Sequence, residues 1–165
     1  MIEKIKILGF SEASLTMILD ILESNKHYPN IEVINNINHT PNKEYKNVNF
    51  NISIKEIIEF ESFDNLIIGV TQIKNKIKLL NTFSTLPKKN FITLISKNTD
   101  ISTTTKIGHG CVINGMVCIA GQSVLGDFIS VNRNSSIGHH TKIGNNTTIN
   151  PGVNIAGDRK STRLN

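Results

Sequence analysis

Ile107-Gly-His-Gly-Cys-Val-Ile113-Asn-Gly-Met-Val-Cys-Ile119-Ala-Gly-Gln-Ser-Val-Leu125 returns to an aliphatic residue at every sixth position. The register runs back through Ile101 to Ile95 and forward through Val131, Ile137, Ile143, Ile149 and Ile155 without a slip. The residue after each aliphatic is small or turn-forming, from Ser96 and Gly108 to Asn132, Gly138 and Ala156. Four places after it comes a small or β-branched residue, as at Thr99, Cys111, Val117, Ser135 and Thr147. A sustained hexad period marks a parallel β-helix. The aliphatic side chain points into a narrow shaft and the small neighbour lets the wall close. Gly or Asn in that neighbouring place is expected to adopt the positive-φ turn that most residues avoid.

Upstream the rhythm changes. Lys4-Ile-Lys-Ile-Leu8 reads as a strand, and Glu12–Ser24 spaces Leu15, Ile18, Leu19 and Leu22 along one helical face. Ile31–Ile34 reads as a second strand, Ile54–Phe60 as a short helix, Asn65–Gly69 as a third strand, and Gln72 to about Asn81 as a helix. Strands alternating with helices imply a small parallel sheet covered on both faces. Pro87-Lys-Lys-Asn90 reads as a linker, and Phe91–Leu94 leads into the first coil. The domains expected are 1–88 and 95–157.

Downstream, Asp158-Arg-Lys-Ser-Thr-Arg-Leu-Asn165 falls outside the repeat, which asks for an aliphatic near position 161 and finds Ser161. The DNA string GAT CGG AAG AGC ACA CGT CTG AAC encodes these residues and resembles a common sequencing-library adapter. Segment 158–165 is therefore expected to be non-native, with the natural protein running on past Gly157. The formal charge is +5, and removing the tail's three cations and one anion leaves +3. That balance is too mild and too scattered for a nucleic-acid partner. No stretch approaches the apolar length of a membrane span, and the N-terminus lacks a signal layout, so a bacterial cytoplasmic location with no membrane insertion is expected. Cys111 and Cys118 occupy different hexad positions and read as small wall residues rather than a disulfide or metal pair.

A β-α-β segment followed by hexapeptide coils resembles the bacterial sugar acyltransferases of the NeuD/PglD type, which include sialic acid O-acetyltransferases and UDP-4-amino-sugar N-acetyltransferases. The stretch that carries the likeness is Val131-Asn-Arg-Asn-Ser-Ser-Ile-Gly-His-His-Thr-Lys-Ile-Gly144, with Ile149-Asn-Pro-Gly-Val-Asn-Ile-Ala-Gly157 after it. The resemblance implies an α/β architecture: a Rossmann-like nucleotide-sugar-binding domain over 1–88, then a left-handed parallel β-helix over 95–157. Three hexads close one triangular coil of 18 residues, with coils at about 95–112, 113–130 and 131–148 and a fourth begun. Left-handedness runs against the usual crossover of parallel strands and rests on the resemblance alone. A homotrimer is implied in the same way.

The resemblance also assigns roles. The family's catalytic base falls on His139 and its asparagine on Asn132. Acetyl-CoA, the co-substrate, would lie along the later coils near Thr148 and Gly157. The nucleotide-sugar or sialic acid acceptor would meet Gly9, Phe10, Ser11, Asn35, Asn36 and Gly69, and no metal is expected. The chemistry suits these residue types. Acetyl transfer from a thioester to a sugar amine or hydroxyl needs a base that takes the acceptor's proton as it attacks, and imidazole does this near neutral pH. No protein nucleophile is required. His109 also follows Ile-Gly, but lies 30 residues before His139, not a multiple of 18, and should sit over another edge as ordinary surface.

Two departures from the family pattern stand out. Asp or Glu usually follows the base and orients it, whereas this chain has His140. The first strand's turn is usually glycine-rich, so that backbone N–H groups can approach a phosphate. Here it reads Gly9-Phe-Ser-Glu-Ala-Ser14, and Glu12 puts a negative charge beside that place. These departures keep open a non-catalytic hexapeptide protein that binds sugar nucleotides or acts as a scaffold. A metal-dependent β-helix enzyme of the γ-carbonic-anhydrase kind needs three zinc-binding histidines spread over neighbouring coils. His109, His139 and His140 do not reproduce that set.

Overall fold

The computed structural model describes residues 2–34, 49–55 and 65–161. Four parallel strands open the chain: β1 (Lys4–Leu8), β2 (Asn30–Ile34), β3 (Ile52–Lys55) and β4 (Leu66–Ile68), in the order β3-β2-β1-β4. Side chains alternate between its faces as strand geometry requires. Ile5, Ile7, Ile31, Val33 and Ile67 pack with helix α1 (Glu12–Ser24), while Leu8, Ile34, Leu66 and Ile68 pack with Leu79 of helix α2 (Ile73–Thr82) and with Phe91 and Phe128. Helix α1 starts where Ser11 accepts the Ser14 N–H at 3.2 Å, and buries Leu15, Ile18, Leu19 and Leu22 along one stripe. Each such aliphatic side chain contributes about 1.5–3 kcal/mol when fully buried.

One element differs from the sequence expectation. Ile54 and Lys55 belong to strand β3, not to a helix beginning at Ile54, because Asn51-Ile-Ser-Ile-Lys55 alternates with period two and pairs along β2. The remainder of the expected helix, 56–60, lies outside the described residues. The expected linker is a single 3-10 turn, Lys88–Asn90.

From Leu94 onward, two-residue strands recur every six residues in three parallel sheets. The first sheet holds β5 (Leu94–Ile95), β8 (Val112–Ile113), β11 (Ser130–Val131) and β14 (Thr148–Ile149). The second holds β6 (Asp100–Ile101), β9 (Cys118–Ile119), β12 (Ser136–Ile137) and β15 (Asn154–Ile155). The third holds β7 (Lys106–Ile107), β10 (Val124–Leu125), β13 (Lys142–Ile143) and β16 (Lys160–Ser161). Partners lie 18 residues apart, as Val112, Ser130 and Thr148 do, so three hexads make one coil. Ile113, Ile119, Leu125, Val131, Ile137, Ile143 and Ile149 fill the shaft as one buried cluster. The backbone of 158–161 continues this path, with Ser161 opposite Ile143 where an aliphatic would stand.

The turns correct the glycine argument. From Ile107 onward, positive φ falls three residues after the aliphatic, at Gly110, Met116, Gln122, Phe128, Asn134, His140, Asn146, Gly152 and Asp158, and not on the residue directly after it. That neighbouring residue is small because coils approach closely there. A Cβ on Gly108 would come within 2.7 Å of the Gly126 carbonyl, and one on Gly138 would strike the backbone of Ala156 and Gly157.

The N-terminal elements rest on the first sheet. Its outward positions are Leu94 and Val112, which join the α1 cluster, then Ser130 and Thr148, which turn toward α2. Outward positions of the other sheets, such as Cys118, Lys106, Val124 and Lys142, are exposed. No helix among the described residues is long and apolar enough to cross a membrane.

Candidate functional site

His139 and His140 form the turn between β12 and β13. Gly138 permits the turn to lie against the next coil, and His140 takes the left-handed conformation at φ 57°. The two rings stand edge to face, with centroids 5.2 Å apart at 87°. Their Nδ1 atoms are 3.0 Å apart, a hydrogen bond in which one ring carries the proton and the other accepts. The His139 ring lies over Gly157, where a Cβ would come within 2.8 Å of Nε2. Asp158 Oδ2 is 3.8 Å from His139 Nδ1, close enough for charge to be felt and too far for a hydrogen bond. His139 and Asp158 side chains are 61% and 74% exposed, so a ligand reaches them freely. His139, His140 and Asp158 each bring one donor atom within 4.8 Å of the others, the set in this corner that a divalent ion would meet.

A concavity opens at the C-terminal ends of β1 and β4. It encloses about 390 Å³ and is lined by Phe10, Ser11, Ala13, Val70, Thr71, Gln72 and Asn75. Gly9 turns the chain at φ 76° and donates its N–H to Ile34 O at 2.8 Å. The Ser11 N–H donates to Gly69 O at 3.1 Å, and a Cβ on Gly69 would collide with the Gly9 carbonyl. Gly9, Phe10, Ser11 and Gly69 therefore come together here, with the hydroxyl of Ser11 engaged in capping α1. Asn35 and Asn36 lie outside the described residues. The two helix starts differ electrostatically. Helix α1 carries Glu12 in its first turn, whereas α2 has no acidic residue there and its Gln72 makes no side-chain cap.

The remaining candidates are dispersed. Asn132 occupies the preceding corner of the coil that carries His139, one level above Asn114 and one below Asn150, and donates Nδ2–H to Ile149 O at 3.0 Å. Thr148 points into the junction with α2 and donates its hydroxyl to Thr71 O at 2.7 Å. His109 sits in the corner between β7 and β8, a different edge from His139, and is exposed.

Lys76 escaped the sequence reading. Only 1% exposed, it donates to Phe128 O at 2.9 Å, Ser130 Oγ at 3.1 Å and Thr148 Oγ1 at 3.4 Å. Burial pulls its pKa down to about 8, against a smaller opposing effect of Cys111. The signal was its place three residues before buried Leu79, on the face of α2 that packs inward.

Neither a protein-family model nor a curated protein sequence matches the chain. Among solved structures, a histidine-to-asparagine variant of perosamine N-acetyltransferase from Caulobacter crescentus, in complex with CoA and GDP-perosamine, aligns over 97% of this chain and 74% of its own. The identity is 13% and the TM-score 0.74. PerB from the same organism, also with CoA and GDP-perosamine, covers the same shares at 14% identity and a TM-score of 0.72. The acetyltransferase domain of PglB from Neisseria gonorrhoeae, in complex with acetyl coenzyme A, covers 100% of this chain and 91% of its own at 12% identity, with a TM-score of 0.62. At such identities the likeness is one of fold: this chain shares the course of its backbone, sheet and coils together, with these acetyltransferase structures.

Proposed function

We propose that this protein is an acetyl-CoA-dependent acetyltransferase that modifies an amine or hydroxyl of a nucleotide-linked sugar or sialic acid, in surface-polysaccharide biosynthesis in the bacterial cytoplasm. On this reading residues 1–88 form a Rossmann-like acceptor domain, and 95–157 belong to a left-handed β-helix that trimerises. The observation that carries the reading is the His139–His140 contact in a fold shared with structures that hold CoA and GDP-perosamine. When His139 donates Nδ1–H to His140, its Nε2 keeps a lone pair over Gly157 and faces solvent. That nitrogen takes the acceptor's proton as the amine or hydroxyl attacks the thioester carbonyl. The C–S bond breaks, and the CoA sulfur leaves with the electron pair.

His140 thus serves as the orienting partner that an acidic residue supplies elsewhere, fixing the tautomer without adding negative charge. The order β3-β2-β1-β4, with a cavity outside the carboxyl ends of its strands, supports a nucleotide at 10–13 and 70–75. Glu12 disfavours a phosphate at α1, so the phosphates belong on the α2 side, where the first turn carries Lys74 and no acid. Reading 158–165 as translated adapter makes Asp158 foreign to the site and leaves His140 as the native group at Nδ1 of His139.

The test is CoA release from acetyl-CoA by the natural gene product carrying residues 1–157, with UDP- and GDP-linked 4-amino sugars and sialic acid as acceptors. His139→Ala should lower turnover with the accepted sugar by about 10²–10⁴-fold. Turnover indifferent to that change would move the base elsewhere. The neutral His140 favours one other reading, a sugar-nucleotide-binding scaffold. Nucleotide binding without turnover of any acceptor would support it.

A further inference from the structure

The start of α2 is tied to the coils by groups that the acetyl-transfer chemistry does not use. Lys76 is buried in α2 and its ammonium meets three neutral oxygens: Phe128 O, Ser130 Oγ and Thr148 Oγ1. An ammonium has three N–H donors, and here each has an acceptor. Thr148 spends its own hydroxyl proton on Thr71 O at 2.7 Å, so toward Lys76 it can only accept. Bonds to the coils therefore leave the segment at two points, Thr71 and Lys76. Between and beside them stand Val70, Gln72 and Asn75, which with Thr71 wall the 390 Å³ cavity. Burying an ammonium with no ion pair among the described residues is costly, and the amine's pKa is drawn down to about 8 by desolvation, with Cys111 the titratable neighbour that acts on it. Methionine would fill the same space without that cost. What lysine adds is hydrogen bonding at fixed points.

We propose that Lys76 and Thr148 form a two-point clamp that fixes the cavity wall 70–75 against the coils, making Lys76 a positioning residue for a nucleoside diphosphate held in that cavity. The ligand part rests on the reading of the cavity as the nucleotide-sugar site; the clamp itself rests on the contacts.

The experiment combines amide hydrogen exchange with calorimetric binding of UDP and GDP at pH 7, on wild type, Lys76→Met, Thr148→Val and Thr148→Ser. Exchange over 70–77 should rise about tenfold or more in Lys76→Met and Thr148→Val, while amides of 112–155 keep their protection. The nucleotide that wild type binds should weaken by about tenfold in the same two variants. Thr148→Ser, which keeps the hydroxyl, should behave as wild type in both readouts. Local exchange unchanged in both Lys76→Met and Thr148→Val overturns the clamp. Faster exchange spread evenly through the coils also overturns it, because that is loss of stability alone. If Lys76→Met fails to fold, Thr148→Val decides by itself. Local loosening with no binding of UDP or GDP by wild type upholds the clamp and refutes its ligand role together with the nucleotide reading.

Discussion

Replacing Lys76 by methionine should alter the pH dependence of stability more than stability itself. The lysine's ordinary value of 10.5 falls to about 8 in the folded protein. That gap, at 1.36 kcal/mol per unit, amounts to roughly 3 kcal/mol against folding with the amine protonated. The sign follows from proton counting. Below pH 8 both folded and unfolded chains hold the proton, and the penalty is fully present. Between about 8 and 10.5 the unfolded chain binds one more proton than the folded one, so stability rises with pH, by about 1.4 kcal/mol per unit at most. Methionine removes the penalty but leaves the buried Phe128 carbonyl without its donor, a cost of about 1–3 kcal/mol. The two effects nearly cancel at pH 7, where the variant should match wild type to within about 2 kcal/mol. By pH 10.5 wild type should lead the variant by roughly 3 kcal/mol more than at pH 7. Urea unfolding of both proteins at several pH values measures this directly, and the difference curve cancels the titrating groups that do not interact with Lys76, leaving Cys111 as the coupled neighbour. A difference that stays flat from pH 7 to 10.5 would refute the argument that Lys76 is buried as a cation among neutral oxygens.

Three further outcomes follow, two from the proposed acetyl transfer with His139 as base and one from the coils. His140→Asp puts a carboxylate beside His139 in a turn position that Asp tolerates, so the acidic limb of the kcat/KM–pH profile should move to higher pH, because negative charge favours the imidazolium. Gly157→Ala inserts a Cβ under the His139 ring and should lower kcat by about 10- to 100-fold, with the circular dichroism spectrum unchanged. Burial opposes ionisation of Asp127, but the Lys88 hydrogen bond and the His109 N–H outweigh it and hold the carboxyl below its ordinary value. Asp127→Ala should therefore cost about 1–2 kcal/mol at neutral pH by thermal unfolding, and the deficit should shrink as pH falls below 3.8, where the wild-type carboxylate begins to be protonated in the unfolded chain.

The coils were legible because a shaft with one side chain per face repeats its demand every six residues. No tertiary information is needed to see Ile113, Ile119 and Leu125 as equivalent. Which turn residue carries positive φ was not legible, since Gly and Asn occur both directly after the aliphatic and two places later, and only the traced backbone separates steric closeness at Gly138 from torsion at His140. Strand β3 was misread because Ile57 and Ile58 follow the short alternation of Ile52 and Ile54 and extend it into a helical spacing. At the candidate site, resemblance points to His139, but the contact with His140 depends on ring rotation about side-chain bonds, which no periodicity encodes. Lys76 was hidden for another reason. A lysine near a helix start reads as solvated, and only docking of α2 on the first sheet buries it.

That docking has a consequence for how a repetitive stack is addressed. Seen from outside, one coil of a β-helix is much like the next, and a partner packed on it by apolar contact alone gains nearly as much by sliding one rung of 18 residues up or down. The outward column of the first sheet breaks that degeneracy, reading Leu94, Val112, Ser130, Thr148. Apolar rungs receive α1, and hydroxyl rungs receive the Lys76 ammonium. A slip of one rung toward Leu94 would set the ammonium against Val112 and Ser130 in place of Ser130 and Thr148, leaving one of its N–H donors without a hydroxyl acceptor at a cost of about 1–3 kcal/mol. The buried lysine thus acts as a positional key: it weakens the fold slightly and in exchange leaves the N-terminal sheet a single place on the ladder to stand.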